Sequence, residues 1–248
     1  FAHQYKTNQS TVFREYLQVI FLNKLYKQQG SDKIFFKGGT AIHLLLGGPR
    51  FSEDLDFTVM LSEMKFISFI NTVFEQISNA ENVSFKERKT IAGKRFLLTA
   101  DPGVLPYATF INLDFSFRER VLQPEKSTFD TKYPIIFTSF IYHLSPEEIC
   151  AEKIRALLTR QKGRDFFDLW FLITKGVSVR SELIIEKLNY YKISDNQLKT
   201  LVSKIQTFPE DKFIIDVRPF VPIDERDKLK KQFEYMKTYL SDKLNSKS

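Results

Sequence analysis

Two aspartates, Asp54 and Asp56, lie one residue apart in a stretch where polar and apolar side chains alternate through residues 52–59. Because neighbouring side chains of a strand point to opposite faces, the alternation predicts a strand with both carboxylates on one polar face. Two carboxylates on one face repel each other unless a cation lies between them. Mg²⁺ prefers oxygen ligands and is commonly held by one or two carboxylates together with substrate phosphates. The spacing therefore predicts a Mg²⁺ site, for which Mn²⁺ is the alternative metal.

A third carboxylate lies in a second alternating stretch. Apolar and polar residues alternate through residues 111–118, which places Asp114 on the polar face of a predicted neighbouring strand. Asp114 is therefore predicted to complete the metal site of Asp54 and Asp56, or to act as the base for an acceptor hydroxyl. A site with three carboxylates can hold two metals, one at the attacking oxygen and one at the departing pyrophosphate.

A glycine turn precedes the paired aspartates. The motif Lys37-Gly38-Gly39-Thr40 follows an apolar run, residues 34–36, that predicts a buried strand, and it precedes a short predicted helix. Thr40 is the predicted N-cap of this helix. Because the unpaired N–H groups at a helix start attract anions, Gly38, Gly39 and Thr40 are predicted to cradle a phosphate.

Either motif alone has an ordinary structural explanation. An Asp-x-Asp pair on a half-exposed strand is most often a solvated face, and paired glycines occur in turns that bind no phosphate. The combination of a phosphate turn and a carboxylate pair, in the order strand, turn, helix and strand, is typical of nucleotidyl transfer from an NTP.

A later helix carries a lysine in an unusual position. Ser145-Pro146-Glu147-Glu148 predicts a helix start, with Ser145 as the N-cap and Glu148 closing a capping box. Lys153 lies beside the apolar stripe of that helix. Its stem either extends along the apolar face so that the ammonium reaches water, or the residue has a functional role.

The next predicted helix begins at Arg164, after Gly163, which is predicted to end the previous one. Asp165 and Asp168 stand three residues apart on one face of this helix. The helix dipole favours acids in a first turn, so capping accounts for either residue without any catalytic role. Asp168 is predicted to be structural, bonded to Arg164 or to a neighbouring backbone group.

These segments together resemble the AbiEii/AbiGii toxin family of nucleotidyltransferase-fold proteins. The resemblance spans residues 30–175 and rests on the glycine turn, on Arg50-x-Ser52-Glu53-Asp54-Leu55-Asp56 and on the segment from Lys153 to Asp168. It implies an enzyme that moves a nucleoside monophosphate from an NTP onto an acceptor, in a bacterial type IV toxin–antitoxin or abortive-infection system with a cognate antitoxin. Family members with known targets modify tRNA 3′ ends, which implies an RNA acceptor.

The resemblance also implies roles for single residues. Lys153 is expected to reach the NTP phosphates, and Asp165 is expected to orient Lys153 or the nucleotide. Further candidates for phosphate or acceptor contact are Lys37, Arg50 and Ser52. Many nucleotidyltransferases have Gly-Ser in the phosphate turn, and the Gly39-Thr40 of this chain keeps the hydroxyl.

Composition agrees with an enzyme that acts on a polyanion. The chain has 248 residues, a net charge of +7 and a pI of about 9.3. A surplus of cations attracts nucleic acid, which favours an RNA acceptor over a small one, although many lysine-rich proteins simply have a solvated basic surface. We expect no membrane segment and no signal peptide, and the single Cys150 suits the reducing cytoplasm of a bacterium.

Periodicity predicts two domains: a mixed α/β core in residues 1–140, for which the resemblance implies the nucleotidyltransferase fold, and a mainly helical part in residues 141–248. After the two strands described above, further strands are predicted at 83–89, 94–100 and 109–117. Helices are predicted at 8–28, 64–77, 145–160, 165–175, 180–190, 195–206 and 224–245.

Two other functions remain open from the sequence. The enzyme could transfer the nucleotide to a protein or a small molecule instead of an RNA. Alternatively, the chain could bind RNA or a protein partner without catalysis, on a scaffold that has lost activity. The presence of Asp54, Asp56, Asp114 and Lys153 argues against such a loss.

Overall fold

The structure, a computed structural model, describes residues 1–101, 103, 105–194 and 200–245. The chain forms two compact units. The first unit contains Phe1–Gly47 and Phe51–Leu144, and the second contains Gly48–Arg50 and Ser145–Ser248.

The first unit is built on a mixed sheet that has seven strands within the described residues, in the order β3-β4-β5-β2-β1-β7-β6. The β1/β7 and β2/β5 pairs are parallel and the other four pairs are antiparallel. The strands are β1 (Ile34–Lys37), β2 (Leu55–Val59), β3 (Val83–Arg88), β4 (Lys94–Ala100), β5 (Thr109–Ser116), β6 (Pro124–Ser127) and β7 (Ile141–Leu144). The helices of this unit are α1 (Gln9–Tyr26), α2 (Gly38–Leu46) and α3 (Glu63–Ser78).

Aromatic side chains fill the space between the sheet and the helices α1 and α3. Phe57 of β2 stacks on Phe115 of β5 with ring centroids 4.9 Å apart, and Phe66 of α3 lies 4.7 Å from Phe115. Phe21 of α1 contacts Phe57 from the helix side. Because strand side chains alternate between faces, the residues between these phenylalanines lie on the opposite, polar face of the sheet.

The second unit is helical. Phe166, Phe213 and Phe233 meet in its core, with the rings of Phe213 and Phe233 4.8 Å apart. Its helices within the described residues include α4 (Pro146–Thr159), α5 (Gly163–Thr174), α6 (Ser181–Asn189), α7 (Leu201–Gln206), α8 (Glu210–Val217) and α9 (Leu229–Asn245).

The predicted fold class, a mixed α/β sheet followed by helices, is confirmed. Two strands were not predicted. β6 has the sequence Pro-Glu-Lys-Ser and lies at an edge of the sheet with mostly exposed side chains, so it has no apolar alternation. β7 has four residues, which is too short for a period of two to stand out.

Some helix boundaries also differ from the predictions. Residues 195–199, the start of the helix predicted at 195–206, lie outside the described residues. Gly163 begins α5 instead of ending α4, which stops at Thr159. A Cβ on Gly163 would lie 2.9 Å from Cα of Phe213, and its N–H donates to Oδ2 of Asp216 over 2.7 Å. This glycine therefore allows α5 to approach α8 closely.

A search of the described residues for helices long and apolar enough to cross a membrane found none.

Candidate active site

The parallel pairing of β2 with β5 brings two of the predicted carboxylates together. Asp56 and Asp114 are direct cross-strand partners, and so lie side by side on the polar face of the sheet. Asp54 lies two residues before Asp56, just ahead of β2, and its Oδ1 accepts a hydrogen bond from Nδ2 of Asn112 over 2.9 Å. Asp56 and Asp114 thus come from two adjacent strands, whereas Asp54 lies just before β2, because the strand predicted over residues 52–59 begins only at Leu55.

The glycine turn packs directly against one of these carboxylates. Gly38 has a φ of +78°, and a Cβ there would lie 2.2 Å from Oδ2 of Asp56. A larger residue would therefore meet both an unfavourable backbone conformation and the carboxylate. On the other side of β2, Lys37 of β1 is the cross-strand partner of Asp56, and its Nζ lies 3.7 Å from Oε2 of Glu119.

The predicted N-cap of the helix after this turn was wrong. α2 begins at Gly38 with Lys37 as its N-cap, so Thr40 lies inside the first turn. The buried hydroxyl of Thr40 donates to the carbonyl oxygen of Asp54. This bond joins the glycine turn to the carboxylate segment, and the backbone N–H groups of the first turn remain the groups suited to an anion.

Side chains of α1 bind the segment that precedes β2. Nε2 of the buried Gln18 donates to the carbonyl oxygens of Ser52 and Glu53 over 3.1 and 3.0 Å. Arg14 forms a 2.9 Å ion pair with Glu53. Ser52, a predicted phosphate contact, therefore lies in a loop whose backbone α1 fixes.

Arg95, like Asn112, bonds to one of these carboxylates and was not among the predicted site residues. It lies on β4 as the cross-strand partner of Asp114, and its Nε donates to Oδ1 of Asp114 over 2.6 Å. The pKa of Arg95 is raised, first by this hydrogen bond and further by the charges of Asp114, Asp54 and Asp56. The only available signal was its position in a predicted strand, because the pairing with Asp114 depends on the order of strands in the sheet.

The donor set fits a metal held partly by substrate. Within the described residues, no three His, Cys, Asp or Glu side chains are arranged to hold a metal ion by themselves. Asp114 bonds to Arg95, and Asp54 and Asp56 stand two residues apart at the start of β2. Mg²⁺ is commonly held by one or two carboxylates plus substrate phosphates, so this pair is compatible with it. The assignment of the metal stays a prediction.

The second unit contains a buried ionic network around Lys153. The ammonium of Lys153 lies 3.0 Å from Oδ1 of Asp165 and 2.8 Å from Oδ2 of Asp168. Arg50 binds Asp168 with two hydrogen bonds of 2.6 Å, and Arg160 binds Asp165 over 2.8 Å. Lys153 therefore does not reach water along the apolar face, and Asp168 bonds to Arg50 where Arg164 or a backbone group was predicted.

Burial and neighbouring charges shift the pKa values of this network in opposite directions. Burial alone would lower the pKa of Lys153, but the charges of Asp168 and Asp165 outweigh it and raise the pKa. Burial would raise the pKa of Asp165, but Lys153 and Arg160 outweigh it and lower the pKa to about 2. The pKa of Asp168 is lowered in the same way by Arg50 and Lys153. Lys153, Asp165 and Asp168 are therefore charged at neutral pH.

Comparison with known proteins identifies the family. The model of the nucleotidyl transferase AbiEii toxin family, of the type IV toxin–antitoxin system, matches residues 20–242. The chain belongs to this family. It is a nucleotidyltransferase, as the glycine turn and the carboxylates predicted, and the match includes both of those motifs and the Lys153 network.

Solved structures share the fold at low sequence identity. JHP933 from Helicobacter pylori is 19% identical with a TM-score of 0.58, over 97% of this chain and 95% of that chain. MenT4, a nucleotidyltransferase toxin from Mycobacterium tuberculosis H37Rv, is also 19% identical with a TM-score of 0.58, over 92% of this chain and 84% of that one. A search of curated proteins gave no match.

Replacing Gly38 should disturb the site much more than replacing Gly47, at the other end of α2. Gly47 has a φ of +74° and no atom within 4 Å of a Cβ, whereas Gly38 has nearly the same φ and meets Asp56. We expect the backbone strain in Gly38→Ala and Gly47→Ala to cost about 1–2 kcal/mol each. Only Gly38→Ala should also lose nucleotidyl transfer, by about 100-fold or more.

Initial rates with saturating NTP and urea unfolding of both variants would check this. Equal rates in the two variants would show that the packing of Gly38 on Asp56 does not matter for activity.

Asp165 should make stability depend on pH in acid. Its pKa is lowered from 3.8 to about 2 in the folded chain, so the unfolded chain takes up the proton first as pH falls. The carboxylate therefore stabilises the fold by about 2 kcal/mol above about pH 4, and this contribution is lost as pH falls toward about 2. Urea unfolding should show the stability difference between wild type and Asp165→Asn shrinking by that amount over this range.

The matched control is Asp227→Asn, which removes a carboxylate with a side chain 93% exposed. A stability difference between wild type and Asp165→Asn that stays constant with pH would contradict the assigned network.

Proposed function

We propose that this chain transfers a nucleoside monophosphate from an NTP to the 3′ hydroxyl of an RNA, with tRNA as the expected class, in a Mg²⁺-dependent reaction. The observation that carries the proposal is the pairing of Asp56 with Asp114 beside the first turn of α2. Phosphoryl transfer needs positioning and charge neutralisation more than covalent chemistry, and this arrangement offers both.

Groups of this chain bind the triphosphate and accept the proton of the attacking hydroxyl. The backbone N–H groups of Gly38, Gly39 and Thr40 bind the triphosphate at the start of α2. The 3′ oxygen attacks the α-phosphorus, the bond from that phosphorus to the β-phosphate oxygen breaks, and pyrophosphate leaves. The hydroxyl proton passes to a carboxylate, for which Asp114 is the candidate because its side chain is 27% exposed on the same face.

Asp54 and Asp56 are the residues that would hold a metal. A bound Mg²⁺ supplies charge neutralisation for the triphosphate and for the departing pyrophosphate. Asn112 and Thr40 support this pair by fixing the side chain and the backbone of Asp54.

Lys153 and Asp165 keep the roles that the family resemblance implies for them: Lys153 neutralises phosphate charge, and Asp165 orients the lysine or the nucleotide. What supports the second role is the 3.0 Å contact between Oδ1 of Asp165 and the ammonium. Arg50 is not assigned a phosphate contact, because its two bonds to Asp168 make it part of the network around Lys153.

Charge supports an RNA acceptor, and the family indicates a protein partner. The net charge of +7 favours a polyanion over a small or cationic acceptor. The family consists of toxins of the type IV toxin–antitoxin system, which indicates a cognate antitoxin as partner. The proposed setting is the bacterial cytoplasm, where the NTP and the RNA are both available.

The test is to incubate the protein with each labelled NTP, Mg²⁺ and total bacterial RNA. We expect label on RNA from one or more NTPs, released from the terminal nucleotide by a 3′ exonuclease, and no label when a chelator removes the metal. Asp56→Asn should lower the rate by at least about 100-fold, because it removes a charge that acts in the transition state. Asp130→Asn makes the same chemical change at an exposed position and should keep the wild-type rate.

Each part of the proposal has its own contrary result. Label confined to protein or small molecules would exclude the RNA acceptor and leave nucleotidyl transfer standing. Normal transfer by Asp56→Asn would exclude the carboxylate assignment. Transfer that persists in excess chelator would exclude the metal.

A further inference from the structure

The polar face of the sheet continues past the carboxylates toward the edge strand β3. Strand register places Arg88 of β3 opposite Arg95 of β4, and Arg95 opposite Asp114 of β5. Because direct partners share a face, these side chains form a row that begins at the carboxylates and ends at two arginines. Lys86, two residues before Arg88, lies on the same face.

The two cations on β3 are exposed and unpaired within the described chain. Lys86 and Arg88 are exposed, while Val83 and Phe85, which precede them on the other face of β3, are half-buried, and the ring of Phe85 contacts Phe74 of α3. Neither Lys86 nor Arg88 forms an ion pair with an acid among the described residues. The side chain of Arg95 is 44% exposed even though it bonds to Asp114. This face therefore presents positive charge to solvent beside the candidate site.

An exposed aromatic ring lies on the same face. Phe110 of β5 is 50% exposed, and it alternates with Ile111, which is buried on the helix side. Its cross-strand partner is Thr99, whose own partner on β3 is Ser84, so the neighbouring side chains across the sheet are small. Phe110 and Asp114 are four residues apart on one strand face, or about 13 Å.

We propose that Lys86, Arg88, Arg95 and Phe110 form a binding face for the single-stranded 3′ end of the acceptor RNA. In this arrangement a base stacks on Phe110, and backbone phosphates contact the cations of β3 and β4. Positive charge combined with an exposed aromatic ring is the usual recognition chemistry for single strands. The bases of a duplex already stack on each other, so a duplex gains little from such a ring. The inference rests on the proposed RNA acceptor.

Protection of the sheet edge against pairing explains only some of these residues. Charged residues on an edge strand discourage pairing with another protein strand, which accounts for Lys86 and Arg88. It does not account for Phe110, which lies on β5, two strands inside that edge. Nor does it account for Arg95, whose partner is a carboxylate of the candidate site.

Charge reversal on β3 tests the phosphate contacts. Binding of a labelled single-stranded RNA of about ten nucleotides is measured by fluorescence anisotropy without NTP. Lys86→Glu/Arg88→Glu should raise Kd by about tenfold or more. Because the double variant loses two phosphate contacts, its slope of log Kd against log salt should also be shallower than that of wild type by about 1.4. Lys212→Glu/Lys231→Glu changes the net charge equally at exposed positions on α8 and α9 and should have a much smaller effect.

Substitution of the ring tests the stacking contact. Phe110→Ala should weaken binding of the single strand by about tenfold with an unchanged salt slope, whereas Phe110→Tyr keeps a stacking surface and should bind like wild type. Wild type, Phe110→Ala and Phe110→Tyr should bind a blunt RNA duplex with the same affinity. Urea unfolding of each variant checks that the fold is retained.

The binding and transfer measurements separate this inference from the proposed function. Wild-type Kd values in both Lys86→Glu/Arg88→Glu and Phe110→Ala would overturn the binding face, even if label still reaches RNA 3′ ends. Equal weakening of single-strand and duplex binding by Phe110→Ala would also overturn it. Weaker single-strand binding in these variants supports the face, whereas label that never reaches RNA refutes the proposed acceptor.

Discussion

The parallel pairing of β2 with β5 is the constraint on which the candidate site depends. It places Asp56 directly opposite Asp114, and like charges at such a position destabilise a sheet. Cations on the neighbouring strands offset this repulsion: Arg95 bonds to Asp114, and Lys37 is the cross-strand partner of Asp56. The aromatic core on the opposite face fixes the register, because a shift by one residue would exchange the phenylalanines with the carboxylates. The fold thus holds together charges that would otherwise separate.

The second unit uses charge in a different way, within its core. α4 carries Lys153, which is held by two aspartates of α5, and also Glu148 and Glu152, which contact the fully buried ammonium of Lys187 on α6. Removing one partner from such a cluster leaves a buried charge without compensation, which costs about 3–5 kcal/mol. These networks therefore fix how α4 packs against α5 and α6, and any catalytic role of Lys153 is added to a structural one.

Local sequence patterns predicted those helices and strands that have a clear period or a capping motif. Alternation located the strands of the carboxylates, and Ser145 is the N-cap of α4, accepting from the N–H of Glu148 as its sequence indicated. Elements without such a signal were missed, as with the polar edge strand β6. The N-cap at Thr40 was wrong because the helix begins at Gly38, whose positive φ lets it pack against Asp56. That contact involves a strand later in the chain and cannot be read from the turn alone.

The sequence by itself determined which residues could do chemistry, because period-two alternation and glycine placement are properties of neighbouring residues. It predicted Asp54 and Asp56 on one strand face with a phosphate-binding turn before them, and the structure places Asp56 on β2 and Asp54 just before it. The tertiary structure decided which charges meet. The pairing of Arg95 with Asp114, and of Lys153 with two aspartates that Arg50 and Arg160 also bind, joins segments from different elements. Such contacts depend on strand order and helix packing, which the whole hydrophobic core sets and no local pattern encodes.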